Sequence, residues 1–78
     1  MTKASATQQA IHNAASHWGW SRSTEGARTV YTRGSTALVI AWSPQGRVSW
    51  TDVRQNGTGV RLLAGRGKLA QTLAELAA

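Results

Sequence analysis

Apolar residues recur at two different periods along this chain, and the change of period divides it. From Ser5 to Trp18 the sequence is Ala-rich, carries Gln8 and Gln9, and has good helix propensity. Ile11, Ala14, Ala15 and Trp18 fall at i, i+3, i+4 and i+7, one helical stripe. Ser5 or Thr7 is the expected N-cap. Gly19 follows as the stop, with His17 in the last turn where partial negative charge gathers. The stripe is narrow and mostly alanine, so packing, with Trp18 as the main anchor, has to hold this helix. Residues 1–4 carry no pattern and read as a frayed end.

Ser21 to Gly26 reads as a polar loop, and beyond it the period falls to 2. Arg28 to Arg33, Thr36 to Trp42 and Arg47 to Arg54 are three β-rich runs separated by turn residues. Gly34-Ser35 closes the first hairpin. Ser43-Pro44-Gln45-Gly46 closes the second, with Pro and Gly where a type I turn takes them. If Gly46 adopts the left-handed conformation of a G1 bulge, residue 42 pairs with 48 and 40 with 50. Leu38, Ile40, Trp42, Val48 and Trp50 then share one face, which collects the bulky apolar side chains on one side. The opposite face carries Ala37, Val39, Ala41, Arg47, Ser49, Thr51 and Val53 and is semi-apolar.

Asn56-Gly57 is a hairpin dipeptide. Residues 60–63 are read as a crossover loop or a very short fourth strand, which would set Asp52 across from Arg61. Lys68 to Leu76 is a second helix, with Leu69, Leu73 and Leu76 as its stripe and Gln71 and Glu75 outward. The order α-β-β-β-α predicts a single α+β domain over residues 1–78. A three-stranded antiparallel meander, with a possible short fourth strand, carries both helices on one face.

Charge narrows the class of partner. Seven Arg and two Lys stand against two Glu and one Asp, a net charge of +6 in 78 residues. Such a field attracts nucleic-acid phosphates or an acidic protein surface. There is no cysteine. His12 and His17, five apart, fall on different faces of a helix, so a metal site lacks ligands and no cofactor is expected. No apolar run reaches the length of a membrane span, which points to the host-cell cytoplasm and makes Asn56-Gly57-Thr58 a turn, not a glycosylation site.

The carboxylates Glu25, Asp52 and Glu75 are scattered over a loop, a strand and a helix. Nothing resembles a nucleophile elbow or an oriented triad, so the chain reads as no enzyme. Gly65-Arg66-Gly67-Lys68 is not a Walker loop, because Leu62 replaces its first glycine and Leu69 its Ser or Thr. It does open a helix, where free N–H groups and two cations could hold a phosphate; alternatively the glycines serve only a tight loop. Arg66 and Lys68 are therefore the first candidates for nucleic-acid contact, joined by Arg61, Arg47, Arg54 and Arg33. Trp18, Trp42 and Trp50 are read as core, and Trp20 as the aromatic with a chance of exposure. Val39, Ala41 and Val53 form a candidate interaction face, with a homodimer centred near Val39 as one use of it.

The helix start Gly65-Arg66-Gly67-Lys68-Leu69-Ala70, after α-β-β-β, resembles in topology the double-stranded RNA-binding domain. That family places a paired lysine where this chain has Leu69, and the match in motif is Gly67, Lys68 and Ala70. Tyr31-Thr32-Arg33-Gly34, then Ser43-Pro44-Gln45-Gly46-Arg47-Val48 and Gly65-Arg66-Gly67-Lys68, is similar to small orphan proteins of actinobacterial phages over residues 30–77. That likeness implies a viral or prophage origin and no particular activity. The resulting expectation is a small basic phage-type regulatory or defence factor that binds nucleic acid through backbone phosphates. The alternative is a protein-interaction module acting on a host or phage protein.

Overall fold

A helix, five strands and a helix follow one another in the computed structural model, which describes residues 5–78. The frayed end expected at residues 1–4 lies outside them. Helix α1 (Ala6–His17) begins with a reciprocal cap. Ser5 Oγ accepts the Gln8 N–H at 3.1 Å, and Gln8 Oε1 accepts the Ser5 N–H at 3.0 Å, which satisfies two otherwise unpaired amides. The strands β1 (Ser21–Glu25), β2 (Arg28–Arg33), β3 (Thr36–Trp42), β4 (Val48–Gln55) and β5 (Thr58–Leu63) form one antiparallel sheet in sequence order. Helix α2 (Lys68–Ala77) closes the chain.

The α+β class and the placement of both helices on one face are as the sequence predicts, but the sheet has five strands. Ser21–Glu25 is a strand and not a loop. Its Ser-Arg-Ser-Thr-Glu sequence is exposed throughout and has no alternation to read; pairing with β2, from Ser21 opposite Thr32 to Glu25 opposite Arg28, extends it. Residues 60–63 likewise belong to a full strand, β5, paired with β4.

The hairpin between β3 and β4 holds the main correction of register. Gly46 has φ +77° and Trp42 pairs with Val48, as the bulge argument requires. One further irregularity then follows. Ala41 pairs with Trp50 and Ile40 with Thr51, so Ser49 is an extra residue and every side chain of β4 beyond it changes face. Trp50 therefore leaves the helix-covered face. Thr51 and Val53 enter it, opposite Ile40 and Leu38.

The core lies between the helices and this face: Tyr31, Leu38, Ile40, Val48, Val53 and Leu63 from the sheet meet Ile11, Ala15 and Leu76 from the helices. Each fully buried aliphatic side chain contributes about 1.5–3 kcal/mol relative to exposure. Trp18, expected in the core, is 45% exposed, and Trp20, read as the aromatic with a chance of exposure, is buried. Trp20 gets there because the chain turns back after α1 with its backbone N–H bonded to the Ala15 carbonyl. Trp42 stays on the helix side and donates its indole N–H to Thr29 Oγ1 at 2.9 Å. On α2 the inward stripe is Thr72, Leu73 and Leu76, whereas Leu69 is 37% exposed.

Candidate nucleic-acid interface

Three of the six candidate cations come together. Arg47, Arg66 and Lys68 line one groove, with Thr7 from the first turn of α1 on its other side. The β3–β4 turn delivers Arg47. That turn is held by Gly46 N–H to the Ser43 carbonyl at 2.9 Å and is tied to the start of α1 by Ser5 Oγ donating to the Gly46 carbonyl at 2.6 Å. Gly67 delivers Lys68. It occupies the N-cap of α2 at φ +79°, a conformation that strains any residue with a Cβ.

The two helix starts differ in how their amides are used. At α1, Ser5 and Gln8 cap each other. At α2, Gly67 offers no side chain, and no acidic residue stands in the first turn, so its leading N–H groups face the groove region with no side-chain cap among the described residues. Among the described residues, Arg47 and Arg66 have no carboxylate in ion-pair range, and Lys68 Nζ bonds the Gly65 carbonyl at 3.3 Å.

The other three candidates are committed elsewhere. Arg54 Nε donates to Asp52 Oδ2 at 2.8 Å, and Arg61 is paired with Glu75. The expected pairing of Asp52 with Arg61 does not occur, because a bulge at Val60 sets Asp52 opposite Leu62. Arg33 donates to the carbonyls of Trp18 and Ala78 and lies 4.6 Å over the Trp20 ring.

Arg33 also reveals how the helices run. It touches the C-terminal end of both α1 and α2, while the first turns of both meet at the Arg47/Arg66/Lys68 groove. The two helices are therefore codirectional, and their dipoles add instead of cancelling. The positive ends meet at the groove. The negative ends meet at Arg33, whose guanidinium neutralises them.

The sheet face away from the helices carries Val39 and Ala41, as expected of the candidate interaction face, but not Val53, which is buried beneath the helices. Trp50 takes its place. Arg28, Ala41 and Trp50 form one cross-strand row, and the small Ala41 lets the Arg28 guanidinium reach 4.9 Å from the Trp50 ring. Val39, in the adjacent row, is only 9% exposed. The sequence signal for Trp50 was present only in the bulge, which no residue type announces.

Carboxylates are not gathered. Glu25 ends β1, and Asp52 and Glu75 are held in the two ion pairs above. Among the described residues no three His, Asp or Glu side chains cluster as a metal site, and no helix is long and apolar enough to cross a membrane. No protein-family model, curated protein or solved structure matches the chain.

Proposed function

We propose that this protein binds nucleic acid through backbone phosphates, without catalysis, in the groove formed by Arg47, Arg66 and Lys68. The observation that carries the reading is the meeting of two codirectional helix N-termini with cations that have no carboxylate partner there among the described residues. Free amides and dipole ends favour anions, and a guanidinium suits phosphate oxygens by its paired donors. Such contacts hold the backbone and do not read bases, so binding is largely independent of sequence. A phage-type regulatory or defence role, implied by the resemblance to actinobacterial phage proteins, is compatible with a binder of this kind.

A protein-interaction module is the second reading, favoured by one feature, the apolar groove that Trp50 and Leu62 line on the open face. An acidic protein surface would satisfy the same cations.

The test compares two triple variants of equal charge. Arg47→Gln/Arg66→Gln/Lys68→Gln and Arg22→Gln/Arg28→Gln/Arg54→Gln each take the net charge from +6 to +3. The first is expected to flatten the slope of log affinity against log salt by about 2 to 3, since each lost phosphate contact removes about 0.7–0.9. The second is expected to change it much less. Equal losses would mean a diffuse cation and no site. A parent that binds neither DNA nor RNA at low salt would overturn the reading in favour of a protein partner.

A further inference from the structure

The two edges of the sheet are unlike. β1 exposes only Ser, Arg, Ser, Thr and Glu, small or charged side chains that discourage pairing. β5 exposes Val60 at 56% and Leu62 at 63%, the two most exposed large hydrophobic residues among those described. Grooves run along both sides of β5. Leu62 and Ala64 line one with Trp50, and Arg61 and Leu63 line the other with the outer surface of α2. An edge strand carries a row of unpaired backbone donors and acceptors, and here that row is framed by the exposed Val60 and Leu62, with Arg61 between them neutralised by Glu75.

Charge says what fits there. The molecule carries +6, yet two of its three carboxylates flank this strand, each closing an ion pair: Asp52 with Arg54 and Glu75 with Arg61. The β5 edge is thus locally neutral in an otherwise cationic protein. An acidic partner or a nucleic acid gains little there from attraction, whereas a second copy of this chain meets little repulsion at the contact itself, only the longer-range repulsion between the two net charges. An edge strand is also self-complementary, because a two-fold axis normal to the sheet turns it into its own antiparallel partner.

We propose that the protein self-associates through β5, joining two sheets into one of ten strands. The bulge at Val60 limits the regular part of the edge to residues 61–63, so the ladder is centred on Leu62, which meets Leu62 of the partner subunit on the open face. The interface is small and belongs to the weak, reversible class. Because the axis is normal to the sheet, both helical layers lie on the same side, and the dimer presents two phosphate grooves in one direction.

Sedimentation velocity over a range of concentrations, without nucleic acid, tests this independently of the phosphate reading. The parent is expected to shift from monomer to dimer with concentration. The shift should strengthen as salt rises, the opposite of phosphate binding, because salt screens the repulsion between two cationic copies. Leu62→Lys should abolish the dimer and keep the parent's circular dichroism and melting, whereas Ser23→Lys on the β1 edge should leave dimerisation unchanged. Should Leu62→Lys fail to fold, amide exchange of the parent decides. Protection at residues 61–63 that grows with concentration, with none gained in β1, supports the proposal. A parent monomeric at every concentration, a dimer that survives Leu62→Lys, or one lost in Ser23→Lys overturns it.

Discussion

The indole N–H of Trp20 donates to the backbone carbonyl of Leu76 at 2.8 Å, tying the segment after α1 to the last turn of α2 across 56 residues of sequence. The carbonyl belongs to the set that a helix leaves without an internal partner, so the bond satisfies a buried acceptor as well as a buried donor. Arg33 lies against the same ring and reaches the end of α2. Trp20→Phe keeps most of the apolar bulk and is expected to cost about 1–3 kcal/mol through the unpaired carbonyl. Trp20→Ala, which adds a cavity, is expected to cost about 3–5 kcal/mol. Urea unfolding of both variants measures this; a Trp20→Phe variant as stable as the parent would show that packing alone matters.

Thr51 and Thr72 are fully buried and joined Oγ1 to Oγ1 at 2.9 Å, and Thr72 also donates to the Lys68 carbonyl at 2.7 Å. With that proton used, the Thr51 hydroxyl is the donor between them. Thr72→Val strands the Thr51 hydroxyl and is expected to cost about 1–3 kcal/mol, while Thr51→Val removes one bond and costs less, about 1 kcal/mol. The double Val variant should cost less than the sum. A strictly additive result in denaturant unfolding would place the two hydroxyls in separate interactions.

Much of this architecture is legible before any coordinates. The helix bounds, a cap at Ser5 or Thr7 (Ser5 in the structure), the Gly46 conformation and the Trp42–Val48 pairing follow from local chemistry that acts within a few residues. What fails to show is longer in range. A strand such as Ser21–Glu25 has no apolar face of its own and exists because β2 offers a ladder. The extra residue at Ser49 reverses Trp50, Thr51 and Val53 together, since a period of two turns a one-residue slip into a change of face. For the candidate groove, Arg66 and Lys68 were legible from the glycine-led helix start. The company of Arg47 and of the α1 N-terminus depends on two helices running the same way, which only the tertiary structure sets.

Tyr31 is the chain's one tyrosine, so its titration is unambiguous. Burial pushes its phenol above the ordinary value of 10.0, against a smaller lowering by the Arg22 guanidinium. A phenol with a raised folded pKa stays protonated in the native state after the unfolded chain has begun to lose its proton. Its contribution to stability is whole below about pH 10 and is lost as pH rises through the folded pKa. Arg22→Gln removes the opposing charge, so tyrosinate absorbance is expected to appear at higher pH than in the parent. An unchanged titration would separate Arg22 from the phenol.

Gly46 is constrained twice. Its φ of +77° disfavours a side chain, and a Cβ there would stand 2.7 Å from Ser5 Cβ and 2.8 Å from Ser5 Oγ. Gly46→Ala is therefore expected to cost about 1–2 kcal/mol for the conformation alone, with an added cost for displacing Ser5 from its cap. A double-mutant cycle isolates the second part: in a Ser5→Gly background the same substitution should cost distinctly less. Equal costs in both backgrounds would leave only the backbone term.

Leu69 separates the electrostatics of the groove from the stability of α2. It lies in the helix's first turn, lines the groove and is exposed enough to be replaced without opening the core. A carboxylate in the first turn interacts favourably with the helix dipole, by about 0.3–1 kcal/mol. Leu69→Glu is therefore expected to leave the melting temperature unchanged or slightly higher, offsetting the small apolar surface lost. The same carboxylate would compete with a phosphate for the free amides and for Arg66 and Lys68, so nucleic-acid affinity should fall sharply, with a shallower salt dependence. Leu69→Gln, neutral and similar in size, should retain most of the binding. Stability and affinity moving in opposite directions is the signature of an anion site at the start of α2. Parent-like affinity in Leu69→Glu would place the phosphate contacts elsewhere on the protein.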